Sequence, residues 1–151
     1  MPVEEQKCDM LEGLALDTDN LEFSQAFDLV ESGKSPIIYL TGKAGTGKST
    51  FLRHIAATTK KKHVILAPTG IAAINVGGAT LHSFFRLPFY PLLPNDRRYD
   101  RSHIRETLKY TSAQRKLIRE IELIIIDEIS MVRADIIDFI DKVLRIYTRS
   151  S

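Results

Sequence analysis

The residues with the clearest chemical purpose are Gly42-Lys43-Ala44-Gly45-Thr46-Gly47-Lys48-Ser49, followed by Thr50. They fit the phosphate-binding pattern G-x-x-x-x-G-K-[ST]. Glycines let backbone N–H groups turn inward around a phosphate with no Cβ in the way. A helix beginning at this point aims its positive dipole end at the same anion. In such a loop Lys48 sits between the β- and γ-phosphates of a nucleotide, and the Ser49 hydroxyl completes a Mg²⁺ shell. A second constellation closes the apolar run Leu123-Ile124-Ile125-Ile126 with Asp127-Glu128. Asp127 suits Mg²⁺, and Glu128 suits polarising a water that attacks the γ-phosphate. Two acids in this arrangement favour hydrolysis over transfer to another acceptor. No Asn-Lys-x-Asp segment is present to read guanine. The expected chemistry is Mg²⁺-dependent ATP hydrolysis, with Lys48, Asp127 and Glu128 as the catalytic set.

These groups need elements to hold them. Ile37-Ile38-Tyr39-Leu40, bounded by Pro36, reads as the strand feeding the glycine-rich loop. Phe51, Leu52, Ile55 and Ala56 mark one face of the helix behind it. Upstream, Phe23, Phe27 and Val30 recur at helical spacing from Leu21 to Glu31, and Ser32-Gly33-Lys34-Ser35-Pro36 stops that helix. A second strand is expected over His63–Ala67, then a small-residue helix broken by Gly77-Gly78, then a short helix capped by Thr80. Residues 87–100, with Pro88, Pro91 and Pro94, read as irregular. Residues 101–119 suit one or two amphipathic helices, and Val132, Ile136, Ile140 and Val143 stripe the last helix. The strands are continuously apolar and alternate with helices, which predicts an α/β fold built on a parallel sheet covered on both faces.

Composition sets outer bounds. A chain of 151 residues is about one domain, and with 44% hydrophobic and 26% charged residues it can bury a core. A net charge of +2 argues by itself for neither nucleic acid nor membrane. The single cysteine, Cys8, has no partner for an internal disulfide, and no apolar run approaches a membrane span. Residues 1–20 are acidic and read as a solvated tail. The expected setting is cytoplasmic, or nucleoid-associated in a bacterium, with no membrane partner.

The segment Ala67–Phe85, APTGIAAINVGGATLHSFF, closely resembles its counterpart in the PIF (petite integration frequency) DNA helicases and their RecD-like relatives. GKAGTGKST at Gly42–Thr50 and IIIDEISMV at Ile124–Val132 resemble the same family, in the same order. The resemblance implies the amino-terminal part of a RecA-like motor domain, a P-loop NTPase three-layer sandwich. It also implies a 5′-to-3′ helicase that moves on single-stranded DNA and unwinds duplexes in replication, repair, recombination or telomere maintenance. By the same resemblance Gln25 reads the adenine edge, and the cofactor set is Gln25 with Gly42, Ala44, Gly45, Thr46, Gly47, Lys48, Ser49 and Thr50. Pro68, Thr69 and Gly70 grip a strand phosphate, joined by Thr80, His82 and Ser83. Phe84 or Phe85 serves as a stacking or packing aromatic.

Residues 87–119 fall where the family inserts a duplex-splitting wedge. Arg97, Arg98, Arg101 and Arg105 there suit either phosphate contact or an ordinary solvated loop. In the family a further strand, carrying a γ-phosphate-sensing glutamine, lies between the glycine-loop strand and the Asp127 strand. A second motor domain then supplies an arginine finger. Neither is in this sequence, so the sheet is expected to be incomplete, with edges open to a second copy. Alternatives are a protein-remodelling AAA-type ATPase or a nucleotide-binding module without motor activity. The Ala67–Phe85 segment argues against the first, and Glu128 would be dispensable in the second.

Overall fold

The structure, a computed structural model, describes residues 21–148. The chain divides into two compact units, Met1–Lys61 and Lys62–Ser151. The expected acidic tail at residues 1–20 lies outside the described residues.

In the first unit, helix α1 (Leu21–Ser32) packs on helix α2 (Lys48–Thr58). The helical spacing of Phe23 and Phe27 puts both rings on one face. Phe23 stacks flat on Phe51, with centroids 4.5 Å apart, and Phe27 meets His54 at 6.1 Å. Val30, Phe51 and Ile55 are buried between them. At the far end the Thr59 hydroxyl donates to the Glu31 carboxylate at 2.5 Å, and the Lys61 ammonium donates to the Val30 carbonyl.

The run Ile37–Leu40 departs from the expected strand. It carries no strand assignment and has no ladder partner among the described residues. Ile37 is 84% exposed and Tyr39 70%. An extended segment is stabilised by its hydrogen-bonded neighbour and its covered face, and this one has neither.

In the second unit three strands form a parallel sheet in the order β2-β1-β3: β1 is His63–Ala67, β2 Ala79–Thr80 and β3 Leu123–Ile126. β1 is central. Ala67 pairs with Thr80 on one side and Leu66 with Ile126 on the other. β1 and β3 are the apolar runs expected from the sequence. β2 is only two residues long, too short to leave a periodic signal.

Helix α3 (Gly70–Val76) leaves β1 through Thr69, whose hydroxyl accepts the Ala72 N–H, and it ends at left-handed Gly77. The next residue, Gly78, passes against the centre of the sheet. A Cβ there would stand 2.3 Å from the Ile65 carbonyl oxygen. Helix α4 (Leu81–Phe85) follows β2 directly, capped by Thr80. Short helices α5 (Ile104–Leu108) and α6 (Ser112–Glu120) precede β3, and α6 starts with a Thr111–Gln114 capping box. The last helix, α7 (Ala134–Tyr147), buries Ile136, Phe139, Ile140, Val143, Ile146 and Tyr147.

These faces meet in one core with Leu66, Leu81, Phe85, Ile104 and Ile118. The Tyr110 hydroxyl donates to the Phe85 carbonyl at 2.5 Å inside it, and burial pushes that phenol's pKa up. Among the described residues no helix is long and apolar enough to cross a membrane.

Two adjacent glycine substitutions should therefore differ. Gly77→Ala forces an L-residue into the left-handed region with open space around it, for a loss of about 1–2 kcal/mol. Gly78→Ala drives a methyl into the backbone of the central strand and should cost about 3 kcal/mol or more. Urea unfolding of the two variants compares the losses directly.

Candidate nucleotide and single-strand sites

In the first unit, residues 42–47 form a turn before α2. Gly45 and Gly47 hold φ at +78° and +83°, a conformation L-residues avoid, and Gly47 is the residue from which α2 begins. A Cβ on Gly42 would meet Thr46 Oγ1 at 2.9 Å, so this glycine also answers to close approach. The Thr46 hydroxyl donates to the Lys43 carbonyl at 2.8 Å. Lys48 folds back over the loop, its Nζ donating to the Gly42 and Lys43 carbonyls at 2.7 and 2.9 Å. The ammonium is thus held over the turn by the turn itself. Ser49 and Thr50 stand in the first turn of α2, and Ala44 lies on the exposed loop. Gln25 is exposed on α1, with no hydrogen bond fixing its amide among those described.

In the second unit, Asp127 follows β3 and extends its ladder, its N–H donating to the Leu66 carbonyl at 2.9 Å. It is 8% exposed, one of two buried polar residues among those described. Its Oδ1 accepts the Glu128 N–H at 3.0 Å. Glu128 has φ +53° and ψ +42°, a left-handed conformation for a residue with a Cβ. That turn points the chain out of the sheet, so a buried carboxylate is followed at once by an exposed one. A short 3-10 turn (Ile129–Met131) then leads towards α7.

The turns that leave β1 and β2 line an open groove of about 550 Å³, bounded by Pro68, Gly70, Thr80, His82, Ser83, Arg86, Leu87 and Phe89. Five sequence-predicted strand contacts, Pro68, Gly70, Thr80, His82 and Ser83, meet here, and Thr69 lies between Pro68 and Gly70 in the chain. The Thr69 and Thr80 hydroxyls each accept a helix N–H, at 3.2 and 3.1 Å, which leaves each able to donate.

The aromatics divide differently from the sequence reading. Phe85 is fully buried, and Phe84 is half-buried, edge-on to it at 4.9 Å and packed on the core. The open ring is Phe89, 93% exposed and stacked on His82 at 5.3 Å. Sequence reasoning passed over Phe89 and Arg86. The available signal was an aromatic pinned between Pro88 and Pro91, where no regular element can carry it into a core.

The arginines of the irregular stretch also sort themselves. Arg98 forms a paired contact with Asp96 at 3.0 and 2.7 Å and lies over Tyr90 and Tyr99 at 5.1 and 5.7 Å. Arg105 lies over Tyr147 at 5.9 Å. Arg97 and Arg101 are exposed and outside the ion pairs formed among the described residues.

The sequence profile of the PIF1-like helicase family matches residues 17–151. The ATP-dependent DNA helicase Pif1 of Bdellovibrio bacteriovorus is 39% identical over 112 residues, covering 74% of this chain and 24% of the relative. The mouse ATP-dependent DNA helicase PIF1 is 36% identical over 115 residues, or 74% of this chain and 16% of that protein. A crystal structure of Bacteroides Pif1 bound to single-stranded DNA superposes with a TM-score of 0.72 at 44% identity, covering 83% of this chain and 27% of that one. A Bacteroides Pif1 structure with ADP-AlF4 gives 0.72 at 43% identity, with the same coverage. The chain therefore spans about a quarter or less of the length of these relatives.

The left-handed turn at Glu128 gives a stability test independent of any activity. Glu128→Gly should be more stable than Glu128→Ala by about 1 kcal/mol, because only glycine takes this conformation without strain. Thermal unfolding of the two variants measures the difference.

Proposed function

This chain belongs to the PIF1-like helicase family, and from that premise we propose that it carries the nucleotide-binding and strand-gripping part of the first motor domain of an ATP-dependent 5′-to-3′ DNA helicase. The observation that carries the reading is the shared end of the parallel sheet. There the ends of β1 and β2 open into the groove, and the end of β3 presents Asp127 and Glu128. Ligands of open α/β sheets bind outside the carboxyl ends of the strands.

In this reading Gly42–Thr50 wraps the ATP phosphates, and Lys48 offsets the charge that builds on the β–γ bridging oxygen as its bond to the γ-phosphorus breaks and ADP leaves. Glu128 accepts a proton from the attacking water, and Gln25 pairs with the adenine edge through an amide that donates and accepts. The Ser49 hydroxyl and the buried Asp127 carboxylate are hard oxygen donors that suit Mg²⁺, which when bound offsets charge on the phosphate oxygens. Thr69, Thr80 and Ser83 donate to phosphates of a single strand, with Pro68, Gly70 and His82 shaping the groove floor. Such contacts position a strand without reading its sequence.

In this proposal the protein acts on cellular DNA in the cytoplasm or nucleoid, and unwinding needs a second motor domain. The edge of β3 that has no ladder partner among the described residues suits association of this chain with a second copy when it is produced alone.

The test is steady-state ATPase of the intact protein with and without single-stranded DNA. DNA should stimulate turnover strongly. Glu128→Gln should lower kcat by about 10²-fold or more, and Lys48→Ala should abolish stimulated turnover. Turnover indifferent to DNA would sink the motor reading.

A further inference from the structure

The groove's exposed ring is mounted on a loop whose own backbone holds it poorly. Between Leu87 and Tyr99 three prolines lack an N–H, and the backbone hydrogen bonds within the loop begin only with Asp96 N–H to the Leu93 carbonyl, at 3.1 Å. One face of α7 supplies the support instead. The Leu92 N–H donates to Asp135 Oδ2 at 3.0 Å. Tyr99 packs edge-on to Phe139 at 5.3 Å, and Lys142 Nζ donates to the Tyr99 carbonyl at 2.9 Å. Asp135, Phe139 and Lys142 are spaced by four and three residues, so they form one stripe along the helix.

Asp135 is the member of that stripe nearest Glu128, and the path between them has little slack. Met131 N–H donates to the Glu128 carbonyl at 3.0 Å, Val132 N–H to Ile129 at 3.0 Å, and Ile136 N–H to Arg133 at 3.1 Å. The Arg133 guanidinium grips both Asp135 oxygens at 2.9 Å. The carboxylate is therefore fixed from the Glu128 side by Arg133 and reaches the loop through its Oδ2.

We propose that Asp135 is a positioning residue that ties the Leu92 N–H, and with it Phe89, to the segment carrying Asp127 and Glu128, so that the state of the nucleotide site alters the grip on single-stranded DNA. A shift of the Glu128 turn moves the start of α7. Asp135 passes the movement to Leu92, three residues from the ring that stacks on His82 at the groove. The proposal rests on the motor reading above and adds to it the residue through which the two sites communicate.

The experiment measures the dissociation constant of the intact protein for a fluorescent oligothymidylate by anisotropy, without nucleotide and with ADP–aluminium fluoride. The ratio of the two constants is the coupling, and a fluorescent ADP analogue checks nucleotide affinity separately. Asp135→Ala should cut the ratio by about fivefold or bring it to one, with nucleotide affinity preserved. Asp135→Asn keeps an acceptor for Leu92 and should retain part of the ratio. Leu92→Pro removes the donor from the loop side, leaves α7 intact and should reproduce the Asp135→Ala loss even if that variant folds poorly.

A ratio unchanged in Asp135→Ala or Leu92→Pro, with both constants weakened equally, would make the contact a passive mount and overturn the proposal. A wild-type ratio of one would overturn it as well. Binding to neither ligand by the wild type would instead remove the motor reading on which it rests.

Discussion

Everything chemical in the second unit depends on β1 running parallel to both of its neighbours. The pairing of Ala67 with Thr80 and of Leu66 with Ile126 sets three strand ends level. The chain then leaves the sheet three times at the same edge, through Pro68–Gly70, through Thr80–Ser83 and through Asp127–Glu128. An antiparallel neighbour would send one of these turns to the opposite side. The register is protected by steric exclusion, because Gly78 lies so close to the Ile65 carbonyl that any side chain would lever β2 off the sheet.

Around this edge, rigidity comes from the core and exposure from the turns. Phe85, Leu66 and Leu81 are sealed against α7, and the same helix holds the proline-rich loop from outside. A buried apolar helix face and a polar stripe for loop support thus coexist on one element. Arg98, which the sequence offers as a free cation, is bound up with Asp96 and two tyrosines. Burial and the Tyr90 hydroxyl, 2.7 Å away, push the Tyr99 pKa up to about 12, so the Tyr99 phenol in this polar knot stays neutral at any physiological pH.

Much of this was legible beforehand, for identifiable reasons. Long apolar runs announced β1 and β3, and the cap residue Thr80 announced the start of α4, because burial and capping are local signals. Glycine spacing announced the positive-φ turn that leads into α2, since that conformation admits few other residues. Ile37–Leu40 misled because a strand is a property of two segments, and one apolar run says nothing about whether its neighbour is there. β2 escaped because two residues have no period. Phe89 escaped notice as the groove's open ring because side-chain exposure follows the path of a proline-bent loop, which hydrophobicity alone does not encode. Asp135 carried no motif, since its partner is a backbone N–H forty-three residues away.

The hold of Lys48 on the Gly42 and Lys43 carbonyls has a further consequence. An incoming polyphosphate has to trade its own oxygens for these, donor by donor, so the loop acts as a built-in competitor for its own cation. Net affinity is then smaller than a census of phosphate contacts would suggest. The same exchange run backwards eases departure of a spent nucleotide, because the ammonium always has a second home to return to. In the proposed motor, which must let go once per cycle, turnover gains from a grip that is strong in contact and modest in balance.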